Sequence, residues 1–139
     1  MANDNQSTPQ EFWEGLNARY HFILDAAADS SNHKCDRWFG PGAEHEDALS
    51  VDWPTDGWIW CNPPYSRGNQ KRFLTKAEET AQRGGRVLML LPADTSTKLF
   101  HRCWDSWSVT FIKGRLKFNG AKSPAKFGSM LVEVADSWL

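Results

Sequence analysis

The sequence predicts an α/β fold, a mostly parallel sheet flanked by helices and reduced in size. Three observations predict it. Segments with helical spacing alternate with short apolar runs, the order that a layered α/β domain requires. The run Arg86-Val87-Leu88-Met89-Leu90-Leu91 is apolar almost throughout, as in a central parallel strand covered on both faces. Polar or special residues stand at three expected strand ends, Asp25, Asn62 and Pro92-Ala93-Asp94, and open α/β sheets bind ligands beyond the carboxyl ends of their strands. A chain of 139 residues fits one core. Residues 1–7 are expected to be a disordered polar tail and residues 8–139 a single domain.

The elements follow in order. Thr8-Pro9-Gln10-Glu11 reads as a capping box, Thr with Glu three positions on, and Phe12, Trp13 and Leu16 give the helix behind it one apolar face. His21-Phe22-Ile23-Leu24-Asp25 reads as a strand that ends on Asp25, and the small residues from Ala26 to Ser31 as a loop. Trp38-Phe39 predicts a short second strand and Gly40-Pro41-Gly42 a turn. Residues 43–56 are acidic and irregular. Trp58-Ile59-Trp60-Cys61 is a short buried strand. Phe73, Leu74, Ala77 and Ala81 predict a helix over 70–83, stopped by Gly84-Gly85. Pro92 ends the next strand, and Thr95 or Ser96 caps a helix that runs to about Trp104. Trp107 to Ile112 is a strand, Gly114 to Lys126 a basic hairpin or loop, and Ser129 to Val134 a last strand.

Asn62-Pro63-Pro64-Tyr65 is the segment with the most chemistry. Two prolines remove two backbone donors, fix φ and push Asn62 out of the helical region. The strand end therefore presents acceptors, the Asn62 side-chain oxygen and nearby carbonyls, beside the flat face of Tyr65. A planar amine can donate both protons to such acceptors while its ring stacks on the tyrosine. The nitrogen of such an amine is a poor nucleophile, because its lone pair is conjugated into the ring. Two acceptors on its hydrogens favour a more tetrahedral nitrogen and free the lone pair for a methyl donor. The tetrapeptide resembles the N-P-P-Y motif of S-adenosylmethionine-dependent amino methyltransferases.

The net charge of −1 hides a segregation. Residues 1–65 carry 3 Lys/Arg against 11 Asp/Glu, and residues 66–126 carry 13 Lys/Arg against 4 Asp/Glu. The basic stretch begins directly after Tyr65 and suits a phosphate backbone; solvated faces that interleave in space are the alternative. Its candidate DNA contacts are Ser66, Arg67, Lys71, Arg72, Lys113, Arg115, Lys117, Lys122 and Lys126. Cys35, Cys61 and Cys103 form no Cys-x-x-Cys pair, so a reduced, cytoplasmic setting and no metal are expected; His33 and His101, near Cys35 and Cys103, do not complete a ligand set. No apolar run reaches the length of a bilayer span and no signal-peptide pattern opens the chain, so no membrane partner is expected.

Taken together, Thr8-Pro9, Leu24-Asp25-Ala26-Ala27-Ala28, Asp47-Ala48-Leu49, Trp53, Cys61 to Ser66, Leu91 to Thr95 and Gly114-Arg115-Leu116-Lys117-Phe118 resemble the phage-type, Dam-like DNA N6-adenine methyltransferases, in that family's order from about Thr8 to Val134. The resemblance implies a Rossmann-like methyltransferase fold, S-adenosylmethionine as donor, double-stranded DNA as partner and a bacterial host's cytoplasm as setting, for a phage or prophage protein. It makes Asn62, Pro63, Pro64 and Tyr65 the catalytic segment. It assigns the donor to Thr8, Pro9, Asp25, Ala26, Ala27, Asp47 and Ala48, with Asn62 beside it and Asp36 as candidate for the ribose. Asp25 would take the donor's ammonium, Thr8 and Pro9 its carboxylate, and Asp47 its adenine amino group. The loop after Asp25 carries alanines where methyltransferases more often carry glycines. So short a chain leaves little room for a separate target-recognition domain and suits a homodimer on DNA. Three alternatives stay open: another planar amine (cytosine N4, an RNA base), a protein glutamine, and a non-catalytic DNA-binding relative.

Overall fold

The computed structural model describes residues 7–66 and 68–136. Helix α1 spans Gln10–Tyr20, and His21 ends it in the left-handed conformation, φ 55°. Strand β1 is only Leu24–Asp25, β2 is Trp58–Cys61 and β3 is Arg86–Pro92. Helix α2 spans Asn69–Gln82 and α3 spans Lys98–Ser106. Strand β4 is Ser108–Phe111 and β5 is Ser129–Val134. Within residues 43–56 one 3-10 turn forms, Ala48–Ser50.

The five strands lie in the order β1-β2-β3-β5-β4. β1 and β3 both pair with β2 in parallel, whereas β5 is antiparallel to β3 and to β4. This corrects the expectation of a mostly parallel sheet. The reversed strand is not at the rim, where it would alter one pairing; it sits between β3 and β4 and makes two of the four pairings antiparallel. The sheet is mixed.

Side chains alternate across it as the strand period demands. Ile59, Cys61, Val87, Met89 and Leu91 join one core with Leu74, Ala77 and Ala81 of α2 and with Phe100 and Cys103 of α3. Trp60, Leu88, Leu90 and Leu131 join the other, with Trp13 of α1 and Phe118. Helices α2 and α3 thus cover one face, and α1 with the 112–125 segment covers the opposite one. Tyr20 donates a 2.7 Å hydrogen bond to Glu133 and ties α1 to β5. Arg102 of α3 is ion-paired with Glu78 of α2.

Several boundaries differ from expectation for local reasons. Pro9, not Thr8, is the N-cap of α1, and no side chain caps that helix, so the capping box does not form. Phe22 and Ile23 do not belong to β1, because the chain is still leaving the helix at His21; Phe22 instead stacks on Tyr20 and Trp13. Trp38 makes a single parallel bridge to Asp25 rather than a strand. Thr97 caps α3, accepting from Phe100 N at 3.2 Å, because Asp94 engages Ser96. No strand forms from Gly114 to Lys126, which remains a series of turns. Ser7 pairs antiparallel with Asn119, whereas residues 1–6 of the expected tail lie outside the described residues.

Candidate active site

The carboxyl ends of β1 and β2 open onto a cavity of about 500 Å³. Its wall begins with Asp25. That residue is 2% exposed, and its carboxylate accepts from Ala27 N at 3.2 Å and from Lys34 N at 2.9 Å. Burial pushes its pKa up to about 7, against the opposing pull of those two N–H donors and the charge of Lys34. Ala26 to Ala28 continue the wall, with Phe39 and Gly40 folded against them: Ala28 N donates to Phe39 O at 3.0 Å. Gly40 has φ 143°, and a Cβ there would lie 1.7 Å from the Ala28 carbonyl oxygen. Only glycine fits this approach.

Asp47 and Ala48 form the opposite lip. Asp47 caps the 3-10 turn by accepting from Leu49 N at 3.1 Å. Trp53 anchors that turn from the core, its indole N–H donating to the Ala48 carbonyl at 2.9 Å. Thr8, Asn62 and Pro64 close the cavity. The side-chain amide of Asn62 donates to Thr8 Oγ1 at 3.1 Å.

A second cavity, of about 660 Å³, is reached at Tyr65, the last residue of the Asn62–Tyr65 segment. Tyr65, Pro92, Phe118, Lys122, Lys126 and Phe127 are among its walls. The Tyr65 ring meets Phe118 edge-on, centroids 5.9 Å apart. Burial pushes the Tyr65 hydroxyl up to about 12, so it is neutral through the physiological range.

Of the expected donor residues, Thr8, Asp25, Ala26, Ala27, Asp47, Ala48 and Asn62 line the first cavity; Pro9 and Asp36 do not, and Asp36 is exposed. The third strand end does not join it. Asp94 turns to the start of α3, and the Ser96 hydroxyl holds its carboxyl below the ordinary range. Of the expected DNA contacts, Lys122 and Lys126 line the second cavity, Lys71 and Arg72 are exposed in the first turns of α2, where Arg72 also lines the first cavity, and Lys113, Arg115 and Lys117 are exposed between β4 and Phe118. Ser66 accepts from the Asn69 side chain at 3.2 Å, and Arg67 lies outside the described residues. Among the described residues none of these seven cations forms an ion pair.

Sequence reasoning missed Lys34, Gly40 and Asn69 as cavity residues. Gly40 had a legible signal in Gly40-Pro41-Gly42, read only as a turn. Lys34 acts through its backbone N–H, which no side-chain pattern reveals.

Among the described residues no group of three or more His, Cys, Asp or Glu converges on a metal position, and no helix is long and apolar enough to cross a membrane.

The cavity lies beyond parallel strand ends, the edge where open α/β sheets bind their ligands, and a buried carboxylate walls it. The chain belongs to the DNA N-6-adenine-methyltransferase (Dam) family, whose model matches residues 1–133. It is 38% identical over 100 residues to a DNA N-6-adenine-methyltransferase of Escherichia phage T1, a match that covers 71% of this chain and 40% of that protein. A protein of the same name from Haemophilus phage HP1 (strain HP1c1) is 35% identical over 83 residues, 59% of this chain and 44% of that protein. The matched regions thus span less than half the length of either relative.

Proposed function

We propose that this chain is a DNA N6-adenine methyltransferase of reduced Rossmann-like fold. It would move a methyl group from S-adenosylmethionine to the exocyclic amine of an adenine drawn out of double-stranded DNA. The observation that carries this reading is that Asn62 and Pro64 line one cavity, which holds the buried Asp25 carboxylate, while Tyr65 lines a second one walled by aromatic rings and lysines.

The first cavity fits the donor. Its size is within the range of about 300–1,000 Å³ usual for small-molecule sites. Asp25 offers a carboxylate for an ammonium, and the bare backbone at Ala26 to Ala28 and Gly40 admits close approach. Asp47 offers an acceptor at the lip, and Thr8, just before the start of α1, suits a carboxylate. When bound, the donor supplies a methyl group on a positively charged sulfur, an electrophile no side chain provides. The protein's residues do the rest. Asn62 Oδ1 and the Pro63 carbonyl accept the two amine hydrogens and loosen the nitrogen lone pair from the ring. Tyr65 and the second cavity hold the extruded base by stacking. The proton shed by the methylated amine passes to those acceptors or to solvent, so no strong base is needed, and the neutral Tyr65 hydroxyl is not one. Positioning and fixed dipoles supply the rate. The setting is the cytoplasm of a phage-bearing bacterial host.

The test is mass analysis of nucleosides from duplex DNA incubated with protein and donor. N6-methyladenine is expected from the wild type, and about 10²-fold less or lower from Asn62→Ala. N4-methylcytosine, a methylated RNA base or protein amide in matched assays, or no product would each replace this reading with one of its rivals.

A further inference from the structure

The approach to α1 passes between the Asn62 segment and the turns that carry Phe118. Thr8 is 1% exposed, and its hydroxyl oxygen accepts from Asn62 Nδ2 at 3.1 Å. Its carbonyl accepts from the Asn119 side-chain amide at 3.4 Å, and the neighbouring Ser7 carbonyl accepts from Asn119 N at 2.9 Å. Asn119 directly follows Phe118, the ring that stands against Tyr65. One short strap therefore touches the Asn62 carboxamide and the support of Tyr65. Helix capping does not account for the buried hydroxyl, because α1 has no side-chain cap.

We infer that Thr8 is a positioning residue for methyl transfer, holding the Asn62 carboxamide in place beside the acceptor amine. A hydroxyl can serve either end of a carboxamide, so what Thr8 fixes is the position and plane of the Asn62 side chain, with Nδ2 turned to Oγ1 in this structure. A carboxamide free to swing about its side-chain torsions would meet the acceptor amine out of line. Asn119 fixes the height of the strap by holding its backbone. This role rests on the reading of Asn62 given above, and it is separate from any contact that Thr8 makes with the donor.

The test compares Thr8→Val, which keeps the shape and removes the acceptor, with Thr8→Ser. Turnover is measured with tritiated donor at saturation, and the dissociation constant of S-adenosylhomocysteine by calorimetry. Expected is a fall of about tenfold or more in kcat for Thr8→Val that extra donor does not restore, with most of the activity recovered in Thr8→Ser. Added to Asn62→Ala, Thr8→Val should cost little further, since the group it orients is gone. If Thr8→Val does not fold, Asn119→Ala should still lower kcat a fewfold without a matching change in donor affinity. An active wild type whose Thr8→Val loss disappears at saturating donor, or whose Asn119→Ala kcat is unchanged, would overturn the inference and leave the methyltransferase reading standing. A wild type that makes no product removes both.

Discussion

At Asp25, burial and hydrogen bonding oppose one another. Burial raises its pKa to about 7 from 3.8, although the N–H groups of Lys34 and Ala27 favour the charged form. The folded ligand-free protein therefore binds this proton more tightly than the unfolded chain. The stability it contributes is complete below about pH 4 and is lost as pH rises through about 7. Asp25→Asn is spared the buried charge, so urea titrations should show it gaining on the wild type between those limits. The gain is at most on the order of 1.4 kcal/mol per pH unit. A difference independent of pH would place the titration elsewhere. The ligand reverses the sign: an ammonium bound at Asp25 needs the carboxylate charged. Affinity for S-adenosylhomocysteine should thus fall as pH drops below about 7, by up to about tenfold per unit, and stay weak and flat in Asp25→Asn.

Gly40 shows how an element with no regular structure of its own shapes the site. The turn after Phe39 brings the chain to within backbone contact of Ala28, at a positive φ that side chains resist. Gly40→Ala has a backbone atom to clash with, not a flexible side chain that could yield. A loss of roughly 2 kcal/mol or more in stability is expected, with weakened donor binding in whatever remains folded. Near-normal thermal unfolding would mean that the loop has another packing. The same scale shows what the sequence made legible. Strands β2 and β5 were readable to the residue, because short apolar runs bounded by Gly, Pro or polar residues have few alternatives. Helix α2 was readable from Phe73, Leu74 and Ala77. The capping of α1 was not. Thr8-Pro9-Gln10-Glu11 satisfies the local rule, but the hydroxyl is taken by Asn62, 54 residues away, and no local pattern encodes that competition. For the same reason the cavity's membership at Asp25, Asp47 and Asn62 was legible through the family pattern, whereas Lys34 and Asn69 were not.

Over the whole molecule, the segregated charge places exposed cations beside the segment that carries Tyr65. Lys71 and Arg72 follow it in α2, and Lys122 and Lys126 wall its cavity. If these meet phosphates, the logarithm of DNA affinity should fall linearly with the logarithm of salt, by about 0.9 for each phosphate neutralised. Lys122→Glu with Lys126→Glu should reduce that slope by about 2 and weaken all sequences alike, as fluorescence anisotropy would record. An unchanged slope would move the duplex to another face. The sheet order could not be read beforehand, because the position of β5 depends on which open edge it reaches, not on its own residues. That position has a consequence for how the chain matures. β4 emerges from the ribosome before β5, yet its place in the sheet is defined only by β5. Until residues 129–134 arrive, the long apolar β3 has one open edge and β4 has no partner. The stacked rings of Phe100, Trp104 and Phe111 beside it are also uncovered, Trp104 and Phe111 being half-exposed even in the finished fold. A chain in which β5 has not yet docked therefore carries unpaired edges on β3 and β4 and a sticky aromatic surface, a combination that invites association. Insertion of one six-residue strand ends it by joining both halves of the sheet at once.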